Sequence, residues 1–407
     1  MTKIKWLALS SVALLLATTV LTACQAPLST EQAKATLQSA VDQTMSAMPT
    51  ATATPTTAFT PTPTLTPTPL PVQYGPTNFP ANVDPLTGLT VSDPSILDRR
   101  PVLIKVSNFP REGRPHAGLS SADIVFSYYI APAENRFLAL YYGQNSTQVG
   151  PIRSGRYIDR WLVYMYQGVL GLMYAWPPEW SSIVGQLGNS RTISGGPNTC
   201  PAICNLNLGI SEINWFANTA EMTSYYAAEP GVDNSKPNLD GMAFNTVPPT
   251  GGADGHELTM QWHTTNLENW RYDAASKKYF RWIDSEDANG NISLIPLTDR
   301  DNGQQLSFSN VIIMWAHYQS ENMPTDTINE VMLPGNSGKM LLFRDGQVFE
   351  GKWKGVKTDG PIQFFDSNGQ PLELQPGNTW VAITGDTSTS NEENPGVWRV
   401  TFSKSGS

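Results

Sequence analysis

Between Gln43 and Val83 the chain carries no charged side chain and repeats threonine, proline and alanine, as in Thr60-Pro61-Thr62-Pro63-Thr64. Such a run holds too little apolar surface to fold. It favours extended polyproline II, a disordered but semi-rigid stalk of up to ~100 Å. It therefore divides the 407 residues into a short leading segment and a folded part that starts near Asp84. Just before the stalk, Ala33, Leu37, Ala40, Val41, Met45 and Met48 recur at helical spacing, with Ser29 and Gln32 set as a capping box. Residues 29–48 thus predict a short amphipathic helix ended by Pro49.

The leading segment reads as an address. Lys3 and Lys5 precede an almost wholly apolar run, Leu7 to Val20, and then Leu21-Thr22-Ala23-Cys24. The run is short for a membrane span, which needs about 20 residues. It has the anatomy of a secretory signal over residues 1–23. A small residue followed directly by cysteine resembles the bacterial lipobox, in which that cysteine is acylated; a plain signal peptide ending near a cysteine is the alternative. Lipidated Cys24 would hold the protein to the membrane as an extracytoplasmic anchor, with 24–83 as anchor, helix and linker. Cys200 and Cys204 then remain. A disulfide closing their small loop fits an oxidising compartment, ahead of a redox or metal pair, because no third or fourth ligand is nearby. No metal site and no cofactor motif is expected.

From Asp84 the texture is globular. Val102–Val106, Ile124–Tyr129, Phe137–Tyr142 and Val169–Tyr174 read as strands, and Tyr157–Tyr166, Glu179–Leu187 and Glu212–Ala228 as helices. Residues 84–250 therefore predict an α/β domain with a mixed sheet. Beyond Pro248-Pro249-Thr250-Gly251-Gly252, short strands follow closely: Leu258–Trp262, Trp270–Asp273, Tyr279–Ile283, Val311–Trp315, Lys339–Arg344, Val348–Trp353, Gln363–Phe365, Trp380–Thr384 and Trp398–Phe402. Asp345-Gly346 and Asn368-Gly369 suit tight hairpin turns. Residues 256–402 predict a mainly antiparallel β domain, so the fold class expected is α+β.

Asp84-Pro85-Leu86-Thr87-Gly88-Leu89, Arg114-Pro115-His116-Ala117-Gly118-Leu119-Ser120-Ser121-Ala122-Asp123, Arg136-Phe137-Leu138-Ala139 and Gly150-Pro151-Ile152-Arg153-Ser154-Gly155-Arg156 resemble the YerB-like lipoprotein family. So does the stretch from Asn336-Ser337-Gly338-Lys339 to Gly377-Asn378-Thr379-Trp380. The similarity runs in order over roughly residues 84–385. It implies a secreted, lipid-anchored, two-domain protein of a family without an established activity. Ser107-Asn108, Tyr174-Ala175-Trp176-Pro177-Pro178 and Cys200–Asn205 depart from the family pattern, which has an aspartate before Asn108 and histidines in the other two segments.

Charge placement supplies the candidate site. The whole chain has 26 basic and 35 acidic residues, a balance that argues against nucleic acid as a partner. Yet residues 98–160 hold nine basic groups against five acids, and eight of the nine are arginine. Its planar fork suits carboxylate or phosphate. Arg136 should begin one strand and Asn108 end another, while Arg153 to Arg156 lead into a helix whose first amides favour anions. Asn108, Arg114, Arg136, Arg153, Ser154 and Arg156 are therefore expected to line a cleft for an anionic small molecule or a cell-wall fragment. The competing expectation is that these arginines pair with the local acids. Trp161, Trp176, Trp180, Trp215, Tyr157, Tyr164 and Tyr174 crowd the same region, either as core or as stacking surfaces for sugar.

Enzyme signatures mostly fail. Gly335–Lys339 lacks P-loop spacing, Asp287, Asn289 and Asn291 lack the glycine of a calcium loop, and His256 and His263 are off any helical ligand face. Ser154 is in no nucleophile elbow. Glu134 and Asp159 are the one candidate acid/base pair. The leading expectation is a non-catalytic surface lipoprotein that binds an anionic or saccharide-containing ligand. An envelope-polymer hydrolase or transferase, or a protein-interaction module, are the alternatives.

Overall fold

Alternation along the strands decides the layering. In Val102–Ser107 (β1), Val102, Ile104 and Val106 join one buried core, while Leu103 joins a second on the other face. Ile124–Ala131 (β2) and Glu134–Tyr141 (β3) divide in the same way, Phe126 and Leu138 facing one core, Val125 and Phe137 the other. A strand apolar on both faces must be covered on both. The computed structural model shows this: it describes residues 72–320, 329–356 and 359–405, with Glu31, Lys34, Ala35, Gln38 and Ser39. Those five are helical and exposed, within the expected leading helix. The signal segment, Cys24 and residues 43–71 of the stalk lie outside the described residues.

The remaining strands are Val169–Leu172 (β4), Thr192–Ser194 (β5), Glu257–His263 (β6), Asn266–Asp273 (β7), Lys278–Glu286 (β8), Ile292–Pro296 (β9), Asn310–Ala316 (β10), Ser337–Arg344 (β11), Gln347–Lys354 (β12), Thr379–Gly385 (β13), Thr389–Asn394 (β14) and Val397–Thr401 (β15), with short pairings besides. An 11-stranded mixed sheet runs β12-β11-β10-β13-β2-β3-β1-β4-β5, with two- and three-residue strands on β12. A 7-stranded sheet runs β9-β8-β7-β6-β15-β14, with Ser307–Phe308 on β8. The helices Tyr157–Met165 (α1) and Pro177–Leu187 (α2) cover one face of the large sheet. The second sheet and the helix Thr219–Ala227 (α3) cover the other.

The fold is mostly β with few helices. Where the sequence suggested an α/β region followed by a separate antiparallel one, strands from both lie in one sheet. The join is the parallel pairing of β13 with β2, Thr379 opposite Ile124 through Ile383 opposite Tyr128. Local patterning shows that these segments are strands but carries no record of which distant strand they meet. Pairing also begins earlier than Asp84, because Gln73–Tyr74 pairs with Phe244–Asn245 and Phe79 packs edge-on to Phe244. The helix expected over Glu212–Ala228 starts only at Thr219, capped by the Asn218 side chain. Its expected first turns are instead a 3-10 turn and the strand Trp215–Ala217, drawn into pairing with Ile203–Asn205. Cys200 and Cys204 are joined in a disulfide.

Candidate functional site

Lys105 sits at an apolar-parity position of β1, in line with Leu103, so its side chain enters the helix-covered core. It is fully buried, donates to the Tyr128 hydroxyl and lies 3.2 Å from an Asp159 carboxylate oxygen on α1. Tyr128 donates to that same oxygen, and the other oxygen accepts the Arg156 backbone N–H at 2.7 Å. Burial pushes Lys105 down to about 7 against the pull of Asp159, and Arg136 and Arg156 lower it further. Asp159 thus caps its own helix, so the α1 N-terminus expected to hold an external anion is answered from within. With its oxygens taken in this way, Asp159 is also badly placed to work with Glu134 as a proton-transfer pair.

Arg136 lies beside this triad, opposite both Ser107 and Tyr128 in register. Its guanidinium donates to the Ser154 carbonyl at 2.8 Å and forms no ion pair with any described carboxylate. Burial, then neighbouring Arg156 and Arg153, push it down to about 9, still protonated at neutral pH. Arg153 has no hydrogen bond or ion pair through its side chain among the described residues, and its Nε is buried without a partner. Arg156 reaches Glu179 at 3.5 Å and the Gly155 carbonyl at 2.8 Å. Burial raises the Glu179 carboxyl above its ordinary range. Backbone bonds lace the 153–155 segment to Met173 and Tyr174. This sets the stacked rings of Tyr174 and Trp180, 4.9 Å apart, alongside the arginines. Tyr174 is 53% exposed and Trp176 38%.

Of the six expected residues, Arg136, Arg153, Ser154 and Arg156 come together. Asn108 and Arg114 do not join them. Asn108 donates to Asn135 at 2.6 Å, and Arg114 bonds to Asn108 and to Asp284 at 3.1 Å on the face covered by the second sheet. There Arg281, fully buried, pairs with buried Glu268 at 3.1 Å and lies over the rings of both Trp270 and Trp380, which meet each other edge-on. Glu268 also accepts from Asn135 and Ser127. Glu268, Arg281 and Asp284 escaped the sequence reading, although a signal exists. Arg281 stands between Tyr279 and Ile283 at inward spacing, a charge on an apolar stripe.

A groove nearby, about 750 Å3, is lined by Arg153 alone of the six. Its other walls include Phe109, Arg111 and five carboxylates, Glu134 and Glu212 among them. Trp161 donates to Glu330, so it acts as a fixed structural ring. Among the described residues no group of histidine, cysteine and acidic side chains is arranged to hold a metal ion.

Residues 86–224 match the model of the N-terminal domain of a protein of unknown function, DUF3048, and residues 258–381 match that of its C-terminal domain. The chain belongs to this family. A Bacillus subtilis relative named "Putative lipoprotein YerB" is 28% identical over 322 residues, which cover 75% of this chain and 87% of the relative. The crystal structure of the YerB protein from Bacillus subtilis has a similar fold, with TM-score 0.61 and 25% identity, covering 74% of this chain and 96% of that one. Both DUF3048 segments contribute strands to the 11-stranded sheet. None of the described helices is long and apolar enough to cross a membrane.

Proposed function

We propose that this DUF3048 protein is a lipid-anchored, extracytoplasmic binding protein that captures an anionic or saccharide-containing envelope ligand without catalysis. The Leu21–Cys24 pattern and the lipoprotein name of its relative support the anchor. One observation carries the ligand class: among the described residues Arg136 is buried with only a carbonyl for partner, while Arg153 and Arg156 crowd it. An unmatched buried guanidinium is costly, and a phosphate or carboxylate is the group that relieves it. The Tyr174–Trp180 stack beside it offers a ring face to a sugar.

The test is calorimetric titration of the mature protein with purified teichoic-acid fragments and with muropeptides. At least one should bind, with affinity that falls as salt rises, and Arg136→Met together with Arg153→Met should weaken it at least tenfold. Equal affinity in the double variant, or no binding of either probe, overturns the reading.

A further inference from the structure

At the other end of β3, roughly 20 Å along the strand from Arg136, lies a second depression of about 330 Å3 with a different lining. Among the described residues its lining has no carboxylate, and Lys278 is its single charged side chain. The rest of its polar surface is amide and hydroxyl, contributed by both family segments: Thr87, Ser121 and Gln144 from the first, Gln304 and its neighbours from the second. We propose that this depression binds the hydroxyls of a neutral sugar, at a place distinct from the arginine cluster.

The lining suits that chemistry. A sugar hydroxyl is both donor and acceptor, and so are a serine hydroxyl and a glutamine amide, whereas a charged wall offers one role only. The amides of Gln144 and Gln304 and the hydroxyl of Ser121 have no partner among the described residues and are available to a ligand. Their support is fixed by two buried carboxylates that turn inward. Asp299, fully buried, accepts the Gly118 and Ser120 N–H groups and the Ser120 hydroxyl at 2.7–2.8 Å. Ser120 in turn accepts from the Asn302 side chain at 3.2 Å. Asp84 accepts the Thr87 hydroxyl at 2.9 Å, and that hydroxyl accepts the Leu89 N–H. Both loops are thereby held before a ligand arrives, which lowers the entropy lost on binding.

The mature protein is titrated with chitotetraose and maltotetraose, two uncharged probes. At least one should bind, and Gln144→Ala with Gln304→Ala, both exposed and harmless to folding, should weaken it tenfold or more. Binding should persist unchanged in the Arg136→Met, Arg153→Met protein. The proposal is overturned if neither probe binds, if the double glutamine variant binds as tightly as the wild type, or if the arginine variant loses the binding.

Discussion

Two ionic clusters sit back to back on β1, β2 and β3, and they are balanced differently. On the side of the second sheet, Arg111, Arg114 and Arg281 meet Asp284, Glu286 and Glu268 in four ion pairs of 2.6–3.1 Å. On the helical side, Lys105, Arg136, Arg153 and Arg156 share Asp159 and Glu179, and Arg136 and Arg153 pair with no described carboxylate. The matched cluster ties the loop after β1 to β8, while Glu268, paired with Arg281 inside its own sheet, accepts from Ser127 and Asn135 of the other. The unmatched one holds spare positive charge, which a fold tolerates only at a cost and which a ligand can offset.

Breaking the matched side should have the largest effect. Glu268→Ala strands Arg281 at full burial against two tryptophans, so urea unfolding should show a loss of about 3–5 kcal/mol. A loss under 1 kcal/mol would mean that Arg281 does not depend on Glu268 for its buried charge.

The unmatched side should reveal itself through pH. Lys105 holds its proton to about 7 when folded and to its ordinary 10.5 when unfolded. Between those values the unfolded chain carries the extra proton, so this group makes the protein more stable as pH rises across that window. Denaturation at pH 7 and pH 9 should show a gain of about 1–2 kcal/mol in the wild type that Lys105→Met lacks. An identical pH slope in the two proteins would remove Lys105 from the account.

Removing a spare charge should do least. Arg136→Met gives up one hydrogen bond to Ser154 and relieves repulsion from Arg153 and Arg156, so its stability should stay within about 1 kcal/mol of wild type. If it instead unfolds the protein as Glu268→Ala does, the contrast between the two sides fails.

Much of this was legible in the sequence because it is local. Helix α1 begins at the expected Tyr157, the strand Gln363–Phe365 has its expected bounds, and Asp345-Gly346 turns with φ of 51° and 74°. At Asn368-Gly369 only Gly369 takes positive φ, because Asp366 organises that turn by accepting the Asn368 and Gln370 N–H groups. The polar strand Thr389–Asn394 has no apolar alternation and is held by its pairing with Val397–Thr401. For the site, the register of Arg136 against Ser107 follows from two adjacent strands, so the arginine cluster was within reach. Arg114 was not, since its partner Asp284 is 170 residues away in the other sheet.

The seam between β13 and β2 also sets an order of events. As the polypeptide emerges from its first residue onward, β2 and β10 must each wait with one bare flank until Thr379–Gly385 arrives to zip them together. Any product that stops short of that segment keeps two sticky ribbons facing its surroundings, a template for clumping and an invitation to proteases. Seven residues late in the sequence therefore close both flanks at once.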